Sequence, residues 1–369
     1  MQCATPRAET VGSLLQPTEL LAARARHAAD EISADELRTV EDRAVLAAVA
    51  LQEQAGMDIV TDGEMRRVRW ADTARRLGGL ASVPGIRSYP QHPRMAHADS
   101  EQSARGAFPV VVERIEIRDD PLLGSEFAYL HEHATTRAKY TLPAPSYHRR
   151  YWSDEVSTGA YPTCEDFLSD IRDWLHDVAV RLVAQGCTYL QLDAPSYGSL
   201  CDPDTRAFHV AAGHDIDHTV RFDAALDCSV FEGLDVTRAL HVCRGNLPGG
   251  AWHSSGGYGA IADALFRDLR ADVVLLEYDS ERAGDFSPLR LLPADTVAVL
   301  GLVTTKSASL EERGAVEARV AEAAQVRGLD TLALSTQCGF ASAENAPMTA
   351  DEQAAKLRLV ADVAHSIWA

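Results

Sequence analysis

The sequence predicts an α/β protein of the (β/α)8 barrel class, and three observations point there. Short apolar runs alternate with helical stretches along most of the 369 residues. The runs are rich in Val, Leu and Ile with little polar alternation, the pattern of parallel strands covered on both faces. Eight such runs can be counted, which suits a closed barrel better than a doubly wound sheet. An open α/β sheet is the alternative.

In chain order, the first predicted strand is TVGSLL at 10–15, followed by a helix whose start is marked by Ser33-Ala-Asp-Glu36. A hydroxyl followed three residues later by a carboxylate is the capping-box signature. DIVTDGE (58–64) is the second strand. The chain then leaves the rhythm from 82 to 138, a stretch rich in Pro, His, Arg and Ser with one strand-like piece, FPVVVERIEI. We read it as an excursion after the second strand, a hairpin over the barrel mouth. AKYTLPAP, YLQLDAP, ALHVC, VVLLEYD, VAVLGLVTT and LALSTQC supply the remaining six strands. Capping boxes at Ser309–Glu312 and Thr349–Glu352 open helices over 309–327 and 349–367. No repeat, low-complexity tract or linker divides the chain, so residues 1–369 read as one domain.

With 35 basic against 54 acidic side chains the net charge is −19, which disfavours nucleic acid and anionic membranes as partners. No apolar run approaches the roughly 20 residues of a membrane span. The start, MQCATPRAET, lacks the apolar core of a secretory signal. Seven scattered cysteines, none in a C-x-x-C pair, suit reduced thiols and a cytoplasmic setting.

The reactive side chains fall at strand ends. Asp62 and Glu64 close the second run and Asp193 the fourth. His241 and Cys243 close ALHVC, Glu277 closes VVLLE, and Cys338 closes LALSTQC. In a barrel these carboxyl ends converge on the one face that carries the active site. His241, Cys243, Glu277 and Cys338 therefore form a candidate four-ligand set for Zn2+, a borderline-soft ion that accepts imidazole, thiolate and carboxylate. Period-two alternation puts His241 and Cys243 on one side of their strand. Each residue also has a plainer reading: a buried cysteine beside a hydrogen-bonded histidine, a glutamate emerging into solvent. For Glu64 and Asp193 the plainer reading is a salt bridge to Arg66, Arg67 or Arg69.

HVCRGN, LLEYDSERAGDF, VLGLVTTK and LSTQCGFAS, in that order, resemble the single-barrel branch of the cobalamin-independent methionine synthase family. The resemblance extends to VGSLLQPTEL, TDGEMRRVRW, YLQLDAP and DEQAAKLRLVADVA, and so covers nearly the whole chain, with 82–138 its weakest part. It implies a Zn2+ site of His241, Cys243, Glu277 and Cys338. It also implies a pocket for homocysteine or a similar small thiol, with Gly12 and Ser13 on its carboxylate and Glu64 and Asp193 on its ammonium group. The implied reaction is methyl transfer from a folate or another donor to the thiol. With four protein ligands one has to yield to the thiol, and Glu277 is the hardest donor.

The chain departs from the full-length pattern in three ways. It has one barrel rather than two, and Asp-Ala-Pro (193–195) stands where the family has Asp-Glu-Pro. A leaving-group histidine is replaced by LVTTKSAS, where Thr305 or Lys306 is the nearest candidate acid. Related chemistries are therefore carried as alternatives: joining a thiol such as coenzyme M to an epoxide, carbon–sulfur cleavage, a decarboxylase of the uroporphyrinogen type, or a structural zinc in a binding protein. Weaker signals are His214 and His218 at helical spacing, an SSGGYG turn at 254–259 able to cradle an anion, and Tyr147, Tyr151 and Trp152 as a stacking surface.

Overall fold

The computed structural model describes residues 6–68, 70–71, 76–86, 109–117, 122–341 and 347–368, without the side chains of 122–124 and 248. Its strands are β1 (Ala8–Glu9), β2 (Ile59–Val60), β3 (Leu77–Ala81), β4 (Val110–Ile117), β5 (Arg137–Ala138), β6 (Tyr140–Pro143), β7 (Tyr189–Asp193), β8 (Thr237–Val242), β9 (Val273–Glu277), β10 (Val297–Val303) and β11 (Leu332–Thr336). Nine of them form one parallel sheet in the order β5-β2-β1-β11-β10-β9-β8-β7-β6. Only Lys139 separates β5 from β6, and its N–H donates to the Val60 carbonyl at 2.9 Å. β5 and β6 are thus one stave, which pairs with β2 on one side and β7 on the other. The sheet closes into the expected (β/α)8 barrel.

The first strands are shorter and earlier than their apolar runs suggest. TVGSLL follows β1 rather than forming it, and DIVTDGE keeps only Ile59 and Val60 in the ladder. The cause is local: Gly63 and Glu64 both adopt positive φ, 67° and 58°, which turns the chain out of the ladder. The capping boxes at Ser33–Glu36 and Thr349–Glu352 form as expected. The one at Ser309–Glu312 does not. That helix spans Arg313–Val326 without a side-chain cap, because the loop before it is tied elsewhere: Glu311 accepts from the Thr304 N–H and from Lys356. A further box, Thr163–Asp166, opens the helix Cys164–Ala184, with aspartate in the role expected of glutamate.

The excursion begins ahead of residue 82. β3 and β4 pair antiparallel as a separate two-stranded sheet, and the helix Leu122–His133 then leads back to β5. Val11, Ile59, Tyr189, Ala239, Val273, Leu275, Val299 and Ala333 pack inside the barrel. Beneath the site, Lys139 pairs with Glu9 at 2.6 Å and the Tyr189 hydroxyl donates to the same carboxylate at 2.9 Å. A buried charge pair is tolerated there because the carboxylate has the Tyr189 hydroxyl as a further donor and the ammonium lies 5.3 Å from the Tyr189 ring centroid. No helix among the described residues is long and apolar enough to cross a membrane.

Candidate active site

Parallel strands deliver their carboxyl ends to one face, and alternation decides which side chains point inward. Ala239, Val273 and Leu275 line the interior. His241, Cys243 and Glu277 continue the same parity upward on β8 and β9 and in the residue after β8. Cys338 follows β11 by two residues. One ligand atom from each of His241, Cys243, Glu277 and Cys338 lies within 4.8 Å of the others, and all four residues are buried.

These residues fit a divalent cation. The Cys243 and Cys338 sulfurs stand 3.6 Å apart. Two thiolates on a tetrahedral Zn2+, each at about 2.3 Å, would be separated by about 3.8 Å. Neither ring nitrogen of His241 has an oxygen or nitrogen partner, although the residue is only 2% exposed, and its side chain meets the Cys338 sulfur. The sulfur contact with Cys338, and then burial, push the Cys243 thiol well above its ordinary range. Burial, and then the charge of Cys338, push the Glu277 carboxyl up. A cation at the centre of the four residues would reverse that cost.

The surroundings orient the cluster. Glu277 accepts the Arg244 backbone N–H on one oxygen at 2.7 Å and the Arg282 guanidinium on the other at 2.9 Å. The Tyr258 hydroxyl accepts the Glu277 N–H at 2.8 Å and donates to the Val242 carbonyl at 3.3 Å, bridging β8 and β9. Gly245 N–H donates to the Cys243 sulfur. The SSGGYG turn therefore delivers a strand clamp, Tyr258, and the helix after it is only Ala262–Leu265. Arg244 stacks over the Tyr258 ring and donates to the Gly256 carbonyl.

Beside the cluster lies a group of buried acids, Asp62, Glu64 and Asp193. A Cβ on Gly12 would stand 3.0 Å from Glu64 Oε1, so the backbone after β1 lies close against that carboxylate. Ser13 is held by the segment after Cys338: its carbonyl accepts from Phe340 N–H at 2.8 Å and its hydroxyl from Ala341 N–H at 3.3 Å. Glu64 and Asp30 are the non-glycine residues with positive φ among the described residues. Such strain gathers at functional positions. Thr141 donates to Glu64 Oε1 at 2.9 Å, and Arg67 reaches Glu64 at 3.4 Å and Thr141 at 2.9 Å.

Asp193 accepts from Gln191 Nε2 at 2.7 Å. Burial raises its carboxyl to about 7, partly offset by His241, with Glu64 and Cys338 adding to the rise. Burial likewise lifts Asp62 to about 6, against the pull of Arg67, and lifts Glu64. The site thus holds more buried carboxyl groups than Arg67 can pair with, burial drives them toward the neutral form, and they lie within electrostatic reach of the cluster. A cation placed among these acids would draw them back toward the charged form.

Among the described residues, the salt-bridge reading of the acids is met at Glu64 and not at Asp193. Arg67 pairs with it, Arg66 pairs with Asp42, and Arg69 lies outside the described residues. Lys306, the candidate acid, pairs with Asp279, which also meets Arg282 at 3.4 Å. Thr305 is buried and donates to Gln337 Oε1 at 2.9 Å. His214 precedes the helix Ile216–Ser229, so it and His218 do not share a helical face. Tyr151 and Trp152 are core residues, and Trp152 stacks on Phe167. Tyr147 packs on Trp70 with ring centroids 4.9 Å apart. Sequence reasoning missed Thr141, Gln191, Arg282 and Tyr258 as functional neighbours. Inward parity below Asp193 was a usable signal for Gln191.

No protein-family model matches the chain. It is 34% identical over 367 residues to the uncharacterized protein YxjH of Bacillus subtilis, covering 98% of this chain and 94% of that one. It is 24% identical over 331 residues to a methionine synthase of Pyrococcus abyssi, covering 89% and 85% of the two chains. A Listeria monocytogenes crystal structure named as a vitamin-B12-independent methionine synthase superposes over 100% of both chains with a TM-score of 0.76 and 28% identity.

Proposed function

The chain belongs to the B12-independent methionine synthase family, and from that premise we propose that it methylates the sulfur of homocysteine or a similar small amino thiol. At the coarser level it is a methyltransferase of the methionine synthase type. The observation that carries the finer reading is the juxtaposition of the His241–Cys243–Glu277–Cys338 cluster with the buried acids Glu64 and Asp193. One half suits a metal and a thiol, the other an ammonium group.

His241, Cys243, Glu277 and Cys338 would hold Zn2+. Bound there, Zn2+ keeps a substrate thiol ionised at neutral pH, where a free thiol of pKa about 8.5 is only a few per cent thiolate. Glu64 and Asp193 bind the ammonium group, Gly12 and Ser13 take the carboxylate, and the thiol end faces the cluster. Glu277 would be the residue to give way to the thiol, and its bonds to the Arg244 N–H and the Arg282 guanidinium would hold its carboxylate. The sulfur then forms a bond to the methyl carbon as the donor–methyl bond breaks, and the electron pair leaves with the donor fragment. The thiol proton goes to solvent, and Lys306 is assigned to protonate a leaving group that needs a proton. Its pairing with Asp279 fixes its position.

Alkylation of coenzyme M by an epoxide, the second reading, fits the pocket less well. A sulfonate thiol brings no cation to Glu64 and Asp193. Incubating the zinc-loaded protein with homocysteine and a methyl-labelled donor, either a methylfolate or a methylsulfonium, tests the proposal. Labelled methionine is the expected product; label in neither reaction, with full zinc occupancy, refutes it. Lys306→Met should depress transfer from the folate about 100-fold, the scale of general acid catalysis, and leave transfer from a sulfonium, whose leaving group needs no proton.

A further inference from the structure

Gln191 lies two residues before Asp193 on β7 and is fully buried inside the barrel. Its amide nitrogen donates twice: to the Val11 carbonyl at 2.9 Å and to Asp193 Oδ1 at 2.7 Å. Val11 immediately precedes Gly12 and Ser13. One side-chain amide therefore ties the loop assigned to the ligand carboxylate to an acid assigned to the ligand ammonium group. Those two acceptors fix the amide's orientation, since its oxygen would be repelled by both. The oxygen, Oε1, has no hydrogen-bond partner. Leaving a buried acceptor unmade is a cost that packing alone does not explain, because an apolar side chain of the same shape would avoid it.

We infer that Gln191 is a positioning residue that makes the pocket selective for α-amino acid thiols. In an α-amino acid the carboxylate and ammonium groups are separated by a single carbon, so their binding groups have to be held in a fixed relation. Thr61 holds the Gly12 carbonyl at 2.7 Å and Thr141 holds Glu64, but neither joins the β1 loop to Asp193. Gln191 does. This inference rests on the amino-thiol reading above.

The test is Gln191→Met, which conserves length and volume and removes the donor, assayed as zinc-loaded enzyme. Dissociation constants by calorimetry and apparent KM values are compared for homocysteine and for 4-mercaptobutanoate, which lacks the amine. Wild-type protein should prefer homocysteine; in the variant that preference should fall at least tenfold, with zinc stoichiometry changed less than twofold. A merely structural role would lower the thermal midpoint or kcat and leave the preference unchanged, and that result overturns the inference. If Gln191→Met fails to fold, Gln191→Leu carries the same comparison. Wild-type protein that prefers neither thiol would refute the amino-thiol reading itself, and the inference with it.

Discussion

Replacing Tyr258 with phenylalanine removes one oxygen atom from a fully buried position between β8 and β9. That oxygen accepts the Glu277 N–H at 2.8 Å and donates to the Val242 carbonyl at 3.3 Å. The ladder between these strands ends at Val242 and Leu276, so no strand carbonyl is available to Glu277. The substitution therefore leaves a buried backbone N–H unpaired, at about 1–3 kcal/mol, and forfeits a longer bond worth about 1 kcal/mol. Expected destabilisation is about 2–4 kcal/mol, read as a lower midpoint in urea unfolding with unchanged slope. Val242 adjoins Cys243, so the same change loosens two cluster residues at once. Groups that orient metal ligands are typically worth 10–100-fold in affinity, and zinc competition against a chromophoric chelator should register a loss on that scale. An unchanged midpoint together with unchanged zinc affinity would refute the clamp role of Tyr258.

Glu64→Gln removes a charge from the acidic pocket and nearly preserves its shape. A hydrogen bond to a charged group contributes about 1.5–3 kcal/mol, so calorimetry should show homocysteine binding weakened roughly 10–100-fold with zinc content unaltered; parity with wild type would remove Glu64 from the pocket. Asp227 gives a pH prediction away from the cluster. It is buried, accepts from Ser146 and from the Tyr197 hydroxyl, and burial, followed by Asp223, raises its carboxyl from 3.8 to about 7. A carboxyl raised on folding is neutral in both states below its unfolded pKa and costs stability as pH climbs toward the folded value. This group should therefore make the protein less stable at pH 8 than at pH 5, by roughly 2–3 kcal/mol. Asp227→Asn should flatten that difference in thermal melts at the two pH values; an identical slope in both proteins would contradict the assignment.

The cluster was legible because a barrel gathers strand ends, whatever the loops between them do. His241, Cys243 and Glu277 needed only alternation and an apolar run before them, and Cys338 needed only to follow the last strand. The residues that hold the cluster were not legible. Tyr258 and Arg282 come from irregular segments whose path has no periodic signature, and Arg244 acts on Glu277 through its backbone. Glu9 and Lys139 ran against the pattern in another way: charged residues inside a barrel are readable only once their pairing is seen. Strand boundaries misled where apolar runs continue into the site, as in TVGSLL, because the same small and apolar residues serve a strand or a close-packed loop.

Zinc K-edge absorption of the purified, zinc-loaded protein, recorded with and without homocysteine, tests the central claim most directly. One zinc per chain with two sulfur neighbours, from Cys243 and Cys338, should become three when homocysteine is added, with one nitrogen or oxygen neighbour lost. Two sulfurs that stay at two under saturating homocysteine, or no stoichiometric zinc at all, would contradict it.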